Sequence, residues 1–235
     1  MKNLIRKVVN KILLPHSNLS YSQSGEDLIV AYLLHKLNIK SPYYLDIGTN
    51  RPKLINNTYY FYIRGFTGVC VEANPKLAAE IKRSRPKDTV LEKGIGISEQ
   101  ADMDFYVFSG KYDGLSTFSQ AEAEHWSKTG SKEHGKIPVE KVIKIPLISI
   151  NTVIEKYCSH LPDFVSLDVE GWDLAILQSM NFEAYRPHIF CVETLLYDSN
   201  QNESKNEELI RFMKSKGYAV YADTNINTIF VNEHH

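Results

Sequence analysis

Three acids in this sequence each close an apolar run. In FVSLDVEGWDLAIL, residues 164–177, the run leads into Asp168 and Glu170, separated by one valine, and a glycine follows. Asp46 in YYLDIGTN and Glu72 in TGVCVEANP stand in the same way. Ionised carboxylates are costly to bury without partners, so this pattern calls for a solvent-filled cleft or a cationic ligand. Carboxylates gathered in such a cleft serve as general bases, as acceptors for ligand hydroxyls, or as oxygen ligands of a hard cation.

The elements that must position these acids follow from periodicity and punctuation. YSQSGEDLIVAYLLHKLNI predicts a helix ending near Asn38, and SPYYLDIGTN a strand ending at Asp46 with a glycine turn behind it. NNTYYFYIRGF reads as a helix and TGVCVEANP as a strand ending at Glu72, after which Asn74 caps and Pro75 begins another helix. TVLEKGIGI and MDFYVFSG read as two further strands. Residues 111–140 are polar and glycine-containing, with a short helix around QAEAEHW, and a segment of this kind reads as a lid or binding loop. Beyond it KVIKIPLISI is a strand, NTVIEKYC a helix, and WDLAILQSM a helix between the strands PDFVSLDV and PHIFCVET. The C-terminal stretch predicts a helix and an antiparallel hairpin around TNIN. This order implies an α/β chain with a doubly wound, mostly parallel, Rossmann-like sheet, whose ligands bind outside the carboxyl ends of the strands. Asp46, Glu72 and Asp168 all fall at such ends.

The turn LDIGTN is not a dinucleotide fingerprint, because Asn50 occupies the position of the second glycine. That disfavours a nicotinamide-dependent oxidoreductase. A ligand without a pyrophosphate suits the turn better, with Gly48 letting the backbone approach closely. Glu72, 24 residues beyond Gly48, sits where an acid at the end of the second strand receives ribose hydroxyls.

The succession SQSGED (22–27), YLDIGTNRP (44–52), NNT (56–58), GVCVEANP (68–75), LST (115–117), FVSLDVEGWDLAIL and RPHIFCVET (186–194) resembles the FkbM-type S-adenosylmethionine-dependent methyltransferases, over roughly Tyr21 to Tyr197. Relatives commonly carry an acid directly after the glycine of DVEG, where this chain has Trp172 and then Asp173. The resemblance implies a class I methyltransferase fold and an O-methyltransferase acting on a sugar, glycan or glycolipid precursor. It makes Asp46, Gly48, Asn50, Glu72 and Ala73 cofactor contacts, with Glu72 on the ribose. It places Gln23, Glu26 and Asp27 in an N-terminal wall of the cleft and Asp168 under the transferred methyl. A sugar hydroxyl is a poor nucleophile and needs a base or a metal. Asp168 and Glu170 serve either way, and Glu193 joins them as an oxygen set suited to Mg²⁺. Against this, Glu170 is equally a cap for the helix behind Gly171. His125 and His134, in the polar segment, are bases if that segment closes, and otherwise solvated loop histidines. A small-molecule O- or N-methyltransferase, and a cofactor- or glycan-binding module without turnover, are the alternatives.

Composition narrows the partners. The chain of 235 residues has a formal net charge of −1, without the basic excess of a nucleic-acid binder. Three cysteines without paired or metal-like spacing, two of them in apolar runs, fit a reducing, cytoplasmic setting. Residues 1–20 form a basic arm ahead of a single domain over 21–235. Within it Leu4, Ile5, Val8, Val9, Ile12 and Leu13 share one helical face, opposite Lys2, Arg6, Lys7 and Lys11. Two readings stand for residues 1–14: peripheral contact with an anionic membrane at its inner face, or packing on the chain's own domain or on a sister subunit in a homo-oligomer.

Overall fold

The computed structural model describes residues 18–108, 110–130, 135–169, 171–197 and 203–234. The N-terminal arm over 1–14, Glu170 and His134 lie outside the described residues.

Four parallel strands make the spine of the main sheet: β1 (Tyr44–Ile47), β2 (Gly68–Glu72), β7 (Phe164–Leu167) and β8 (Ile189–Glu193). With β3 (Thr89–Glu92), β11 (Tyr218–Asp223) and β12 (Asn227–Asn232) they form seven strands in the order β11-β12-β8-β7-β1-β2-β3. The last strand, β12, lies antiparallel between β8 and β11, so the C-terminal hairpin closes one edge. β1 and β7 are adjacent although more than a hundred residues apart, and the order reverses at that point, which opens the crevice where α/β sheets bind ligands.

The strands are short and buried on both faces, and their alternation assigns each side chain to a layer. Leu45, Ile47, Val69, Val71, Val165, Leu167, Phe190 and Val192 pack beneath α5 (Ile150–Tyr157), α6 (Asp173–Ser179) and α7 (Glu207–Ser215). Tyr44, Phe164, Ile189, Cys191 and Ile229 pack on the opposite face, under α1 (Glu26–Lys36) and Phe61 of the single-turn helix α2 (Tyr59–Tyr62). α3 (Pro75–Ser84) follows β2 and begins as the sequence predicts, with Asn74 accepting from the Lys76 amide.

One reading changes. TVLEKGIGI is not one strand: the chain leaves the main sheet at Lys93, and β4 (Gly94–Gly96) joins a second, three-stranded sheet with β6 (Lys141–Ser149) and β5 (Gln100–Val107). The polar segment over 111–140 carries the short helix expected around QAEAEHW. It contains a 3₁₀ turn at Gly110–Leu115 and the helix α4 (Gln120–Lys128), and Phe108, Ala123 and Ile137 form a small core of their own with Trp126 against them. A β-bridge between Tyr106 and Thr117 ties the segment to β5. β9 (Leu195–Tyr197) and β10 (Glu203–Lys205) form a separate two-stranded ribbon. Among the described residues no helix is long and apolar enough to cross a membrane.

Candidate functional site

The carboxyl ends of β1, β2 and β7 open onto a cleft. Its floor is the turn after β1. Gly48 has φ +76°, and a methyl there would stand 1.7 Å from the backbone oxygen of Asp168, so the turn after β1 and the segment after β7 touch as bare backbone. Asn50, also left-handed at φ +54°, follows it, and its amide donates to Glu72 Oε2 at 2.7 Å. Glu72 Oε1 accepts from the Asn74 amide, also at 2.7 Å. Burial pushes the Glu72 carboxyl up to about 7 even though the Asn74 and Asn50 amides favour its charge, and the charges of Asp46 and Asp113 add to the rise. Asn50 Oδ1 is buried in the cleft lining and accepts no hydrogen bond among the described residues. The Asn50 acceptor thus lies unpartnered in the cleft lining beside an amide-fixed carboxylate.

One wall is built by the segment 110–118. Its Asp113 is buried, paired with Arg51 Nη2 at 2.7 Å and with Lys76 Nζ at 3.8 Å, and it lines the cleft with Gly114, Ser116, Thr117 and Phe118. Asp113 and Lys76 lie outside every motif quoted above, Arg51 lies within YLDIGTNRP without being singled out, and the sequence reading assigned a role to none of the three. The other wall is Asp168, Val169 and Trp172, and Trp172 and Phe118 face each other with ring centroids 6.3 Å apart.

Strand register explains the company Asp168 keeps. Leu167 pairs with Val192, so Asp168 and Glu193 follow as neighbours at the tips of adjacent strands. The two carboxyls are close enough to share a hydrogen bond whenever one of them carries a proton. Asp168 is reached by solvent through the mouth but walled by protein elsewhere. That desolvation raises its pKa against the Glu193 hydrogen bond, and the charge of Asp46 adds to the rise. Asp173 is buried under the same turn, its Oδ1 accepting from the Val169 amide at 3.2 Å, and burial with the Asp168 charge pushes it up to about 7.

The structure therefore gathers Gly48, Asn50, Glu72, Ala73 and Asp168 on one cleft and leaves other expected residues elsewhere. Asp46 is the clearest correction. Alternation along YLDI turns its side chain to the face opposite Leu45 and Ile47, where Thr58 Oγ1 and Asn56 Nδ2 donate to Oδ2 and Arg85 Nη1 lies 3.7 Å away. Burial raises the Asp46 carboxyl, and Arg85 leads the opposing effects. Arg85 itself has no exposed surface: Nε donates to Asp88 at 2.7 Å, Nη1 to Asn56 at 3.2 Å and Nη2 to Thr58 at 2.9 Å. The Asp46 side chain thus belongs to a buried framework behind the cleft and is not part of the cleft lining.

Gln23 is exposed ahead of α1, and Glu26 and Asp27 are buried in bonds of their own. Glu26 accepts from Thr224 Oγ1 and Asn227 Nδ2 of the C-terminal hairpin. Burial alone would raise it, and those hydrogen bonds, with the Ser24 amide, bring it below the ordinary value. Asp27 gathers Ser20, Ser22 and the Tyr21 amide. These acids fasten the start of α1 and do not form a cleft wall. His125 lies on α4 with its ring against Trp126 and is not in the cleft lining. Among the described residues no group of three or more His, Cys, Asp and Glu is placed to hold a metal ion.

A family model described as the methyltransferase FkbM domain matches residues 46–220. No curated protein matches the sequence significantly. Among solved structures the chain is similar to a TehB-like SAM-dependent methyltransferase from Corynebacterium glutamicum, at 8% identity over 98% of this chain and 97% of that one, with a TM-score of 0.43. It is similar to an S-adenosylmethionine-dependent methyltransferase from Clostridium acetobutylicum, at 10% identity over 98% of both chains, with a TM-score of 0.45. It is also similar to an O-methyltransferase from Bacillus cereus in complex with SAH, at 12% identity over 98% of this chain and 90% of that one, with a TM-score of 0.42.

Proposed function

Since the chain belongs to the FkbM methyltransferase family and is an S-adenosylmethionine-dependent enzyme of Rossmann-like fold, we infer that it methylates a hydroxyl of a sugar, glycan or glycolipid precursor. The observation that carries this reading is the juxtaposition of Asp168, a carboxyl of raised pKa open to the cleft, with the aromatic faces of Trp172 and Phe118. Flat apolar rings beside a carboxyl suit a sugar ring, which presents apolar C–H faces and hydroxyl edges.

The residues present fit the methyl donor. Glu72, each of whose oxygens keeps a second lone pair, accepts from ribose hydroxyls, the orphaned Asn50 Oδ1 takes a further donor, and Gly48 gives the backbone room to approach. When bound, S-adenosylmethionine supplies an electrophilic methyl on a sulfonium. The chain supplies orientation and the fate of the acceptor's proton. Asp168 accepts the hydrogen bond of the acceptor hydroxyl and takes its proton at a carboxylate oxygen, and its raised pKa brings its basicity nearer to neutral pH. The neighbouring Glu193 carboxyl can hydrogen-bond the protonated Asp168.

S-adenosylhomocysteine release with a set of methyl glycosides, and with amines in parallel, tests this reading. Release with glycosides supports it. Release with amines alone would replace it with N-methylation.

A further inference from the structure

Glu122 is held in a way its helix does not require. Ser119 is the N-cap of α4, and its Oγ accepts from the Glu122 amide at 3.2 Å. In a Ser-x-x-Glu capping box the glutamate reaches back to the serine amide. Here that amide is taken by Thr117 Oγ1 at 3.0 Å, and the Thr117 hydroxyl donates onward to Glu122 Oε2 at 2.6 Å. The carboxyl is thereby turned off its own helix and onto the DVEG turn, where a methyl at Gly171 would stand 2.8 Å from Oε1.

One oxygen of Glu122 is thus fixed, and the other accepts no hydrogen bond among the described residues. The side chain is half-buried, and burial raises its pKa despite the Thr117 hydroxyl. Thr117 and Phe118 on one side, and Trp172 next to Gly171 on the other, line the cleft. Glu122 is not itself in the cleft lining, but it stands against Thr117 and Gly171, whose neighbours Phe118 and Trp172 are, with an acceptor oxygen left to receive a hydroxyl at the cleft's edge.

Resting on the reading of the acceptor as a sugar, we propose that Glu122 receives a second hydroxyl of that acceptor and so selects polyols over molecules with one hydroxyl. Thr117 is the residue that positions it. The segment over 110–130 then contributes specificity through one named oxygen.

The experiment compares the parent with Glu122→Ala and Glu122→Gln, using methyl glycosides, alcohols with one hydroxyl, and amines with and without a neighbouring hydroxyl. S-adenosylhomocysteine release is the first readout and S-adenosylmethionine affinity by calorimetry the second. The expected result is a loss of roughly 10- to 100-fold in kcat/KM for glycosides in the alanine variant, carried by KM, with donor affinity and the monohydroxyl alcohols unaffected. The glutamine variant keeps an acceptor oxygen and loses less. An alanine variant that loses glycosides and simple alcohols alike would show a purely structural role and overturn the proposal, as would one that keeps parental kcat/KM for glycosides. If the parent accepts only amines, the sugar reading fails by itself. Glu122 is then decided by whether the variant loses its preference for the amine with a neighbouring hydroxyl.

Discussion

The Asn50 amide donates to Glu72 Oε2 at 2.7 Å, which makes the turn after the first strand and the tip of the second a single unit. Burial pushes the Glu72 carboxyl up to about 7, so this unit titrates near neutral pH. Ligand hydroxyls that donate to the carboxylate favour its charged form. Affinity for S-adenosylmethionine should therefore rise as pH climbs through about 7 and level off above it, with a proton released on binding below that point. The ligand-free fold has the matching dependence. Its carboxyl binds a proton more tightly than the unfolded chain's, so this contribution to stability falls as pH rises from the ordinary 4.5 to about 7. Calorimetry across this range in buffers of different ionisation enthalpy checks the binding side, and an affinity flat with pH would contradict it.

Asp168→Asn should separate chemistry from binding. Asparagine keeps the size and a hydrogen bond to Glu193 but takes no proton. Turnover should fall by about 100-fold or more, the scale of a lost general base, while donor affinity stays close to that of the parent. Single-turnover kinetics beside calorimetry reads both, and an equal loss in each would move Asp168 from base to binding residue.

Gly48→Ala meets the Asp168 carbonyl at 1.7 Å with φ at +76°. The change combines backbone strain with a clash against main chain that cannot rotate away. It should cost about 2–4 kcal/mol of stability and weaken donor binding. Urea denaturation measures the first, and a cost below about 1 kcal/mol would mean that the turn can move apart from the segment after β7.

Arg85→Met removes a guanidinium with no exposed surface from Asp46, Asp88, Asn56 and Thr58. Leaving buried carboxylates without a partner should cost on the order of 3–5 kcal/mol. Asp46→Asn in the Arg85→Met background should recover part of it, because the unpaired charge is then gone. Double-mutant denaturation curves that simply add would contradict the coupling.

How much of this the sequence shows depends on the residue. Glu72 is placed by its spacing from Gly48, since one βαβ unit fixes the distance between the glycine turn and the next strand's tip. Asp46 stands at an equally suggestive strand end, yet alternation in YLDI sends its side chain to the other face, so position along a strand locates a residue only together with parity. Arg85 lies in KRSRPKD, which reads as a solvated charge run, and nothing local announces that Asp46 and Asp88 will bury it. Asp113 and Glu122 belong to a stretch without hydrophobic period. The first is placed by Arg51 and the second by a hydroxyl relay, both of which are tertiary facts. The separate three-stranded sheet was hidden for a similar reason: a turn at Lys93 divides a continuous β-forming run between two sheets.

The most direct measurement is calorimetric titration of the parent and of Glu72→Ala with S-adenosylmethionine. The parent should bind at one site with micromolar affinity, weakened by roughly 10- to 100-fold in the variant, as charge-assisted hydrogen bonds to the Glu72 carboxylate are lost. A folded parent that does not bind, or a variant that binds as the parent does, would contradict the assignment of this cleft to the methyl donor.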